Sequence, residues 1–426
     1  MTLFESLPSP RRAASPDIDR AIWPLTANVD ERGRLCIGGT PLTEVADEFG
    51  TPTYVIDEAD FRHRIRCYRA AVPEVRLVYA GKALLTTAVA KWVAEEGACL
   101  GVGSGGELAT ALIAGVDPNQ IVLHAKATTP DELCTATRAG IGQIVVNTPD
   151  AVASLAICIR RSQSVHVETT PDMTLTGAHA AAIERILDQP LLQLTGLHCN
   201  IGSQVTEPSL YADAIRRMVK HMAGLRARRG VVLTELNIGG GHGVPYASGD
   251  PELGLQPLRA SIDDALDASC ATEGFPRPTV VVEPGRAISA RAGVTLYRVM
   301  GVQSQPGGAT TVVVDGGFSD NPQAALPGAR YSVALASRRP IAPTSPMTVF
   351  GRHYKSNGEI ARDVPLPEDL RAGDLLAVAC TGAYHHSVAS TYNMVGRPPL
   401  VAVTDGRSRE LVRRETIADL LARDRV

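Results

Sequence analysis

The sequence has no stretch typical of a membrane or secreted protein. No apolar run approaches the roughly 18 residues that a membrane-spanning helix needs, and no basic start leads into an apolar segment and a small-residue cleavage site. The eight cysteines are scattered and lack the paired spacing of a zinc site. We therefore expect a cytoplasmic protein that does not enter a membrane, binds no metal ion and keeps its cysteines reduced and mostly buried.

The sequence also lacks an excess of charge of one sign. It has 42 Lys and Arg against 45 Asp and Glu, a formal net charge of −3, and its arginine-rich stretches at Arg226–Arg229 and Arg413–Arg414 are short. Nucleic acid is therefore not an expected partner. The hydrophobic fraction of 44% is ordinary for a globular protein, and 426 residues exceed what one core usually serves, so we expect two domains.

Short runs rich in Val, Ile and Leu alternate with longer segments of helical period from Pro52 onward. This alternation is typical of βα units around a parallel sheet. Eight such strands predict an α/β fold with a closed (β/α)8 TIM barrel rather than an open sheet. The predicted strands are Val75–Lys82, Cys99–Ser104, Ile121–Lys126, Gln143–Thr148, Ser164–Glu168, Leu194–Ser203, Leu233–Gly239 and Thr279–Glu283.

The pattern changes after about Val294 to short β-like segments broken by Gly and Pro, which predicts a C-terminal β-domain, a β-barrel or β-sandwich. The stretch Cys36–Val55 also looks strand-like and precedes the barrel. We therefore divide the chain into residues 1–55, a lead-in with strands that pair with the β-domain, residues 56–294, the barrel, and residues 295–426, the β-domain.

Unusual residues follow several barrel strands, at the end where such barrels carry their active sites. Lys82 ends the first strand, and a lysine at a barrel mouth suits imine formation with an aldehyde. The glycines Gly239–Gly241 let backbone N–H groups approach a phosphate, and Arg286 adds a charged partner for it. Glu283 suits a protonated ring nitrogen. An aldehyde, a phosphate and a ring nitrogen are the three groups through which a protein can bind pyridoxal phosphate (PLP).

Each of these features also has an ordinary interpretation. A glycine run is more often a tight turn, a strand-end lysine is usually a solvated charge, and Glu-Pro-Gly-Arg is common turn chemistry. Their coincidence at matching ends of eight ordered strands favours a cofactor site.

The chain resembles the fold-type III PLP-dependent decarboxylases, and in particular the diaminopimelate decarboxylases, over residues from about Cys36 to the C-terminus. In the barrel, the matching motifs are Tyr-Ala-x-Lys ending at Lys82, Ser104–Leu108, Gly196–Gln204, Gly239–Gly241 and Glu283–Arg286. In the β-domain they are Val314–Gly317, Gly382–Tyr384 and Tyr392–Pro398.

The resemblance implies an alanine-racemase-like barrel, PLP as an imine on Lys82, and a homodimer with shared active sites in which Tyr384 comes from the neighbouring subunit. The residues that it implies for the cofactor are Lys82, Asn200, Ser203, Gly239, Gly240, Gly241, Glu283, Gly285, Arg286 and Tyr384. For a small amino-acid substrate they are Arg286, Gln323, Lys355 and Tyr384, and the catalytic pair is Lys82 and Tyr354.

The substrate half of the pocket departs from the family pattern. Tyr354 stands in place of the family's catalytic cysteine, and Lys355 in place of the glutamate that binds the substrate's distal ammonium. Gln323 and Pro327 replace an Arg and a Tyr that hold the distal carboxylate. The reversed charge favours a neutral or anionic distal group, unless Lys355 points into solvent, as lysines commonly do.

Two further changes touch the cofactor, and the stretch after Glu168 also departs from the family pattern. Asn200 replaces the family's ring-stacking histidine, although His198 is present two residues earlier, so either residue could contact the ring. Gly101 replaces an aspartate at the end of the second strand, and the stretch after Glu168 lacks a Lys-Phe-Gly segment.

Three hypotheses follow. The first is an α-decarboxylase for an amino acid or amino-acid conjugate other than meso-diaminopimelate. The second is a racemase or epimerase in which Lys82 and Tyr354 act as two bases. The third is a PLP-binding protein without turnover. The longer motifs favour the first.

Overall fold

A computed structural model describes residues 18–170, 174–175, 177–304, 310–325, 330–353 and 358–425. The chain divides into two compact units. One comprises residues 62–244 and 251–288, and the other comprises the residues up to 61, 245–250 and those from 289 onward. None of the helices in the described ranges is long and apolar enough to cross a membrane.

The N-terminal segment contains a small antiparallel sheet of β1 (Asn28–Val29), β2 (Leu35–Ile37) and β3 (Thr40–Pro41). It continues with α1 (Leu42–Phe49), β4 (Thr53–Asp57) and α2 (Glu58–Ala71). The strand-like interpretation of Cys36–Val55 is therefore wrong at its centre. Leu42, Val45 and Ala46 are all buried, and their spacing of three and four residues is that of one helix face.

Eight parallel strands form a closed barrel, as the sequence predicted. Small β-branched residues meet in the interior, among them Val78, Val122, Val145 and Val281. The strands are β5 (Arg76–Ala80), β6 (Cys99–Val102), β7 (Ile121–His124), β8 (Gln143–Val146), β9 (Gln163–Glu168), β10 (Leu192–His198), β11 (Glu235–Asn237) and β12 (Thr279–Val282).

Seven helices alternate with the barrel strands, and several begin at a capping hydroxyl. Thr86, Ser104 and Thr148 each accept a backbone N–H three residues ahead, and Thr129 forms a capping box with Glu132, which satisfies amides that the first helical turn leaves unpaired. The helices are α3 (Thr87–Glu95), α4 (Gly105–Ile113), α5 (Pro130–Ala139), α6 (Pro149–Cys158), α7 (Gly177–Leu187), α8 (Pro208–Arg229) and α9 (Leu255–Glu273).

One disulfide joins two of these helices. The expectation that all cysteines are reduced is wrong for Cys134 in α5 and Cys158 in α6, which are bonded with their Cα atoms 4.8 Å apart. The other six cysteines form no disulfide, and four of them are buried. The two cysteines are 24 residues apart in the sequence, and this separation does not predict a disulfide. Their side chains come together only because the two helices pack against each other.

A charged network closes the amino-terminal end of the barrel. Glu235, the first residue of β11, accepts from Gln143 Nε2 at 2.7 Å and lies 2.9 Å from His166 Nε2 and 3.2 Å from Arg76 Nη1. Burial raises the pKa of Glu235, but the hydrogen bonds and charges of these three neighbours outweigh burial and bring the pKa to about 2. The ionised carboxylate therefore stabilises the fold.

We expect Glu235→Gln to lower the free energy of unfolding by about 1–3 kcal/mol at neutral pH, because a half-buried charged hydrogen-bond acceptor is lost. The pKa of Glu235 is lower in the folded than in the unfolded protein, so its contribution is present above about pH 4.3 and fades as the pH falls towards 2. Urea unfolding at several pH values measures the difference. Glu184→Gln, which removes an exposed ion pair with Arg229, is the control and should change stability little. An equal effect of Glu235→Gln at all pH values would contradict the assignment.

The remaining elements form a mostly β unit. A short helix α10 (Arg286–Ser289) leads into β13 (Gly293–Gln303), β14 (Thr310–Val314), β15 (Val333–Leu335), β16 (Thr344–Phe350), β17 (Glu359–Pro367), β18 (Leu375–Val378), β19 (Leu400–Thr404) and β20 (Arg407–Val412), and α11 (Ile417–Leu421) follows. Nine strands form one sheet along β17-β16-β14-β13-β4-β19-β20, with β18 paired to β13 and β15. Because β4 pairs with β13 and β19, this unit is discontinuous in sequence.

Candidate active site

Polar residues end several of the apolar barrel strands. His124 is the last residue of β7, His198 of β10 and Asn237 of β11, and Glu283 directly follows β12. The carboxyl ends of parallel barrel strands open onto one mouth, so these side chains converge there. His198, Asn237 and Glu283 are buried.

Both oxygens of Glu283 have partners. Asn237 Nδ2 donates to Oε1 at 2.7 Å, and Oε2 lies 3.2 Å from His124 Nε2 and 3.6 Å from His198 Nε2. Asn237 also accepts the backbone N–H of Gly239 at 2.9 Å, so the carboxylate is tied to the start of the glycine run. The Glu283 carboxylate is therefore fixed in place by residues from three other strands.

Glu283 is ionised at neutral pH. Burial raises the pKa of its carboxyl, but His124 and His198 outweigh burial and hold the pKa well below its usual range. Burial lowers the pKa of His124, and the attraction of Glu283 reverses this, so the pKa of His124 is raised. A buried carboxylate that stays charged is suited to face a cationic ring nitrogen.

The glycine run packs so tightly that no other residue fits. A Cβ atom would lie 2.5 Å from Cys199 O at Gly239, 2.2 Å from Glu283 O at Gly240 and 2.1 Å from Gly202 O at Gly241. Gly239 and Gly241 also have φ values of +71° and +78°, a region that favours glycine. Only glycine therefore fits these positions, and a glycine-rich backbone turn of this kind is compatible with the phosphate of PLP.

Buried side chains support this glycine run. Tyr211 donates its hydroxyl proton to Gly240 O at 3.0 Å, and Val205 donates its backbone N–H to Gly241 O at 2.9 Å. His242 follows Gly241 in the sequence, and its ring is buried. The Nδ1 atom of His242 lies 2.7 Å from the Tyr68 hydroxyl oxygen, and burial lowers the pKa of His242 to about 3. Uncharged side chains therefore support the glycine run from the protein side.

The other predicted barrel residues lie around the same mouth. Lys82 stands in a short turn after β5 with its side chain exposed, near enough to act electrostatically on His124. Arg286 Nη2 donates to Ser203 Oγ at 3.2 Å. A Cβ on Gly285 would lie 3.0 Å from the Cβ of Ala83, so Gly285 lies close to the turn that carries Lys82.

A cavity of about 300 Å³ opens at the ends of β7 to β10. The residues that line it all have polar side chains and include Lys126, whose Nζ is 2.6 Å from Glu168 Oε1. Asn200 is exposed and lines the cavity, whereas His198 is buried and its Nδ1 lies 3.7 Å from Glu168 Oε1. The lining residues are Lys126, Asn147, Glu168, Thr169, Thr170, His179 and Asn200.

Of the residues predicted for the substrate, Arg286 belongs to the barrel unit, and the others belong to the second unit or are not described. Tyr384 is half-buried with a φ of +59°, and Gln323 is half-buried in the turn Pro322–Ala325. Tyr354, Lys355 and Pro327 lie outside the described residues.

Sequence reasoning missed His124, Asn237 and the Lys126–Glu168 ion pair. A signal was available, since each of these polar groups ends or follows an apolar strand whose position was predicted. The strand pattern does not predict which strand ends are in contact. His124 and Glu283 follow strands that are not neighbours in the barrel, and their side chains contact each other across its mouth.

Comparisons with known proteins agree with this geometry. Residues 58–290 match the model of the pyridoxal-binding domain of pyridoxal-dependent decarboxylases. The chain is 45% identical to a diaminopimelate decarboxylase of Actinosynnema pretiosum over the full length of both. It is 40% identical to the diaminopimelate decarboxylase of Mycobacterium tuberculosis, over 94% of this chain and 97% of the relative. The crystal structure of the M. jannaschii diaminopimelate decarboxylase superposes with a TM-score of 0.87 at 26% identity, covering 94% of this chain and 98% of that one.

Proposed function

This chain belongs to the pyridoxal-dependent decarboxylases, and from that premise we propose that it removes the α-carboxylate of an amino acid or amino-acid conjugate other than meso-diaminopimelate. It is a PLP-dependent carboxy-lyase. The observation that carries the proposal is the ionised Glu283, held beside the glycine run at the barrel mouth. PLP supplies an electron sink for the electrons that remain when carbon dioxide leaves.

The protein residues would hold this cofactor by its aldehyde, its ring nitrogen and its phosphate. Lys82 would bind the aldehyde carbon, and Glu283 would accept a hydrogen bond from the protonated ring nitrogen. The N–H groups of Gly240 and Gly241 would bind the phosphate, since that of Gly239 is donated to Asn237 Oδ1. Ser203 and Arg286 are already hydrogen-bonded to each other and add a hydroxyl and a positive charge for the same phosphate. Asn200, which lines the cavity, or the buried His198 would contact the ring.

We propose that the working enzyme is a homodimer with shared sites. The barrel unit contains Lys82, Glu283 and Arg286, whereas Tyr384, Gln323 and the segment with Tyr354 and Lys355 belong to the β unit. A second copy of the chain would supply the latter group to each barrel mouth. Closed two-fold dimers are the commonest protein assemblies and allow this exchange.

The substrate proposal rests on charge. Lys355 and Gln323 replace groups that, in the resembling enzymes, hold a distal ammonium and a distal carboxylate. A cation in place of an anion repels an ammonium group, so a substrate with a neutral or anionic distal end is favoured.

No observation favours the two rival functions. A racemase would need Tyr354 on the face of the cofactor opposite Lys82, and Tyr354 lies outside the described residues. Full-length similarity to decarboxylases supports decarboxylation over racemisation and over binding without turnover.

A substrate panel tests the proposal. We expect the PLP-loaded protein to release carbon dioxide from at least one member of a set of L- and D-amino acids and their citryl or acyl conjugates, and to leave the substrate unracemised. Carbon dioxide release and product chirality are measured together, with Lys82→Ala protein as the blank. Racemised substrate without carbon dioxide would contradict the proposal, and so would a folded, PLP-loaded protein that turns over none of the panel.

A further inference from the structure

His124 contacts Glu283 at the barrel mouth and is not among the site residues predicted from sequence. Its Nε2 lies 3.2 Å from Glu283 Oε2, whereas Asn237 Nδ2 donates to Oε1 at 2.7 Å. His124 ends β7, and Glu283 follows β12, so the contact crosses the mouth. The His124 ring meets the His198 ring edge to face, with centroids 5.3 Å apart and planes at 68°. The position of His124 is therefore fixed by packing as well as by the carboxylate.

The charged and titratable groups around His124 are Glu283 at 3.2 Å, the His198 ring, and Glu168 and Lys82, which act on it electrostatically. Two of these are acids and one is a cation. Since Glu283 is ionised and accepts at Oε2, His124 donates through an Nε2–H. An oxygen of a carboxylate has more than one lone pair, so Oε2 can accept from His124 and from a second donor at once.

The location of one proton decides whether PLP works as an electron sink. Between a carboxylate and a pyridine nitrogen, the shared proton stays on nitrogen only if the carboxyl is the stronger acid. Burial alone makes Glu283 a weaker acid, because a charged group in an apolar site is disfavoured. Hydrogen bonds and positive charge at the carboxylate reverse this. His124 at 3.2 Å and Asn237 at 2.7 Å are the close donors, and His198 lies farther away at 3.6 Å.

We propose that His124 is a positioning residue of the cofactor site, which holds Glu283 as a carboxylate so that the proton stays on the PLP ring nitrogen. This inference rests on the proposed contact between Glu283 and that nitrogen. His124 touches neither substrate nor the reacting carbon in this role, and it acts through Glu283.

Three variants of the holoenzyme test the inference. His124→Leu removes the donor, His124→Asn keeps an amide that is too short to reach Oε2, and His124→Gln places an amide N–H near the position of Nε2. The readout is the NMR signal of bound PLP labelled with ¹⁵N at the ring, which separates protonated from unprotonated nitrogen. His63→Leu, which removes an exposed histidine of α2, is the matched control.

We expect the nitrogen to be protonated in the wild type, His63→Leu and His124→Gln, and to lose its proton in His124→Leu and His124→Asn. Loss of one hydrogen bond to a charged group should lower kcat by about ten- to a hundredfold in those two variants, with PLP still bound. A protonated nitrogen in His124→Asn would overturn the inference, and so would an unprotonated one in His124→Gln.

A separate variant shows which assumption has failed. A glutamine at position 283 has no negative charge to keep the proton on the PLP ring nitrogen. The ¹⁵N signal of that nitrogen should therefore change in Glu283→Gln, even though His124 is still present. If Glu283→Gln leaves the nitrogen protonated, the assignment of Glu283 is wrong. If Glu283→Gln changes the signal and His124→Leu does not, the assignment of Glu283 stands and the role of His124 is wrong.

Discussion

Lys82→Ala is expected to abolish the visible absorbance of lysine-bound PLP and to reduce decarboxylation by several orders of magnitude. Lys82 is the second residue after β5, in the turn Gly81–Ala83 at the carboxyl end of that strand. The variant loses both the covalent attachment of the cofactor and the amine that displaces the product. No neighbouring lysine occupies the same turn.

Spectra of the purified protein before and after borohydride reduction measure this effect. Lys91→Ala, at an exposed position of α3, is the control and should leave absorbance and activity unchanged. An unchanged, borohydride-reducible spectrum in Lys82→Ala would show that another lysine carries the cofactor.

The second large effect is expected with meso-diaminopimelate, which should be a poor substrate. Lys355, Gln323 and Pro327 stand where the resembling enzymes have a Glu, an Arg and a Tyr. The distal ammonium therefore loses its anion, and the distal carboxylate loses two donors. A lost contact to a charged group costs about 1.5–3 kcal/mol, so even two losses lower kcat/KM by roughly two to four powers of ten.

The measurement is kcat/KM for meso-diaminopimelate beside the M. tuberculosis relative, which is named for this activity. The double variant Lys355→Glu with Gln323→Arg restores two of the family's charges and should raise the value at least tenfold. Lys220→Glu reverses the charge of an exposed lysine on α8 and should change nothing. Equal values for the wild type and the relative would mean that other residues supply the distal contacts.

The barrel could be predicted from sequence because its signal is local. Each strand is a short apolar run, and several of the helices that follow begin at a residue such as Thr86, Ser104 or Thr148, whose hydroxyl caps the helix. The glycine run Gly239–Gly241 could also be recognised in the sequence. The structure requires glycine there, because Gly239 and Gly241 have positive φ values and close backbone contacts leave no room for a Cβ atom. The local pattern failed at α1, where eight residues inside a β-rich stretch form a helix.

The sequence by itself determined the number and order of the barrel strands and the residues that stand at their ends, including Lys82 and Glu283. It did not determine which of these end residues touch. His124 reaches Glu283, and Cys134 reaches Cys158, only after the strands close and the helices pack around them. The tertiary structure alone decided these contacts, because hydrophobic periodicity and capping are set by neighbours within a few residues, whereas contact across a barrel mouth depends on closure of the whole sheet.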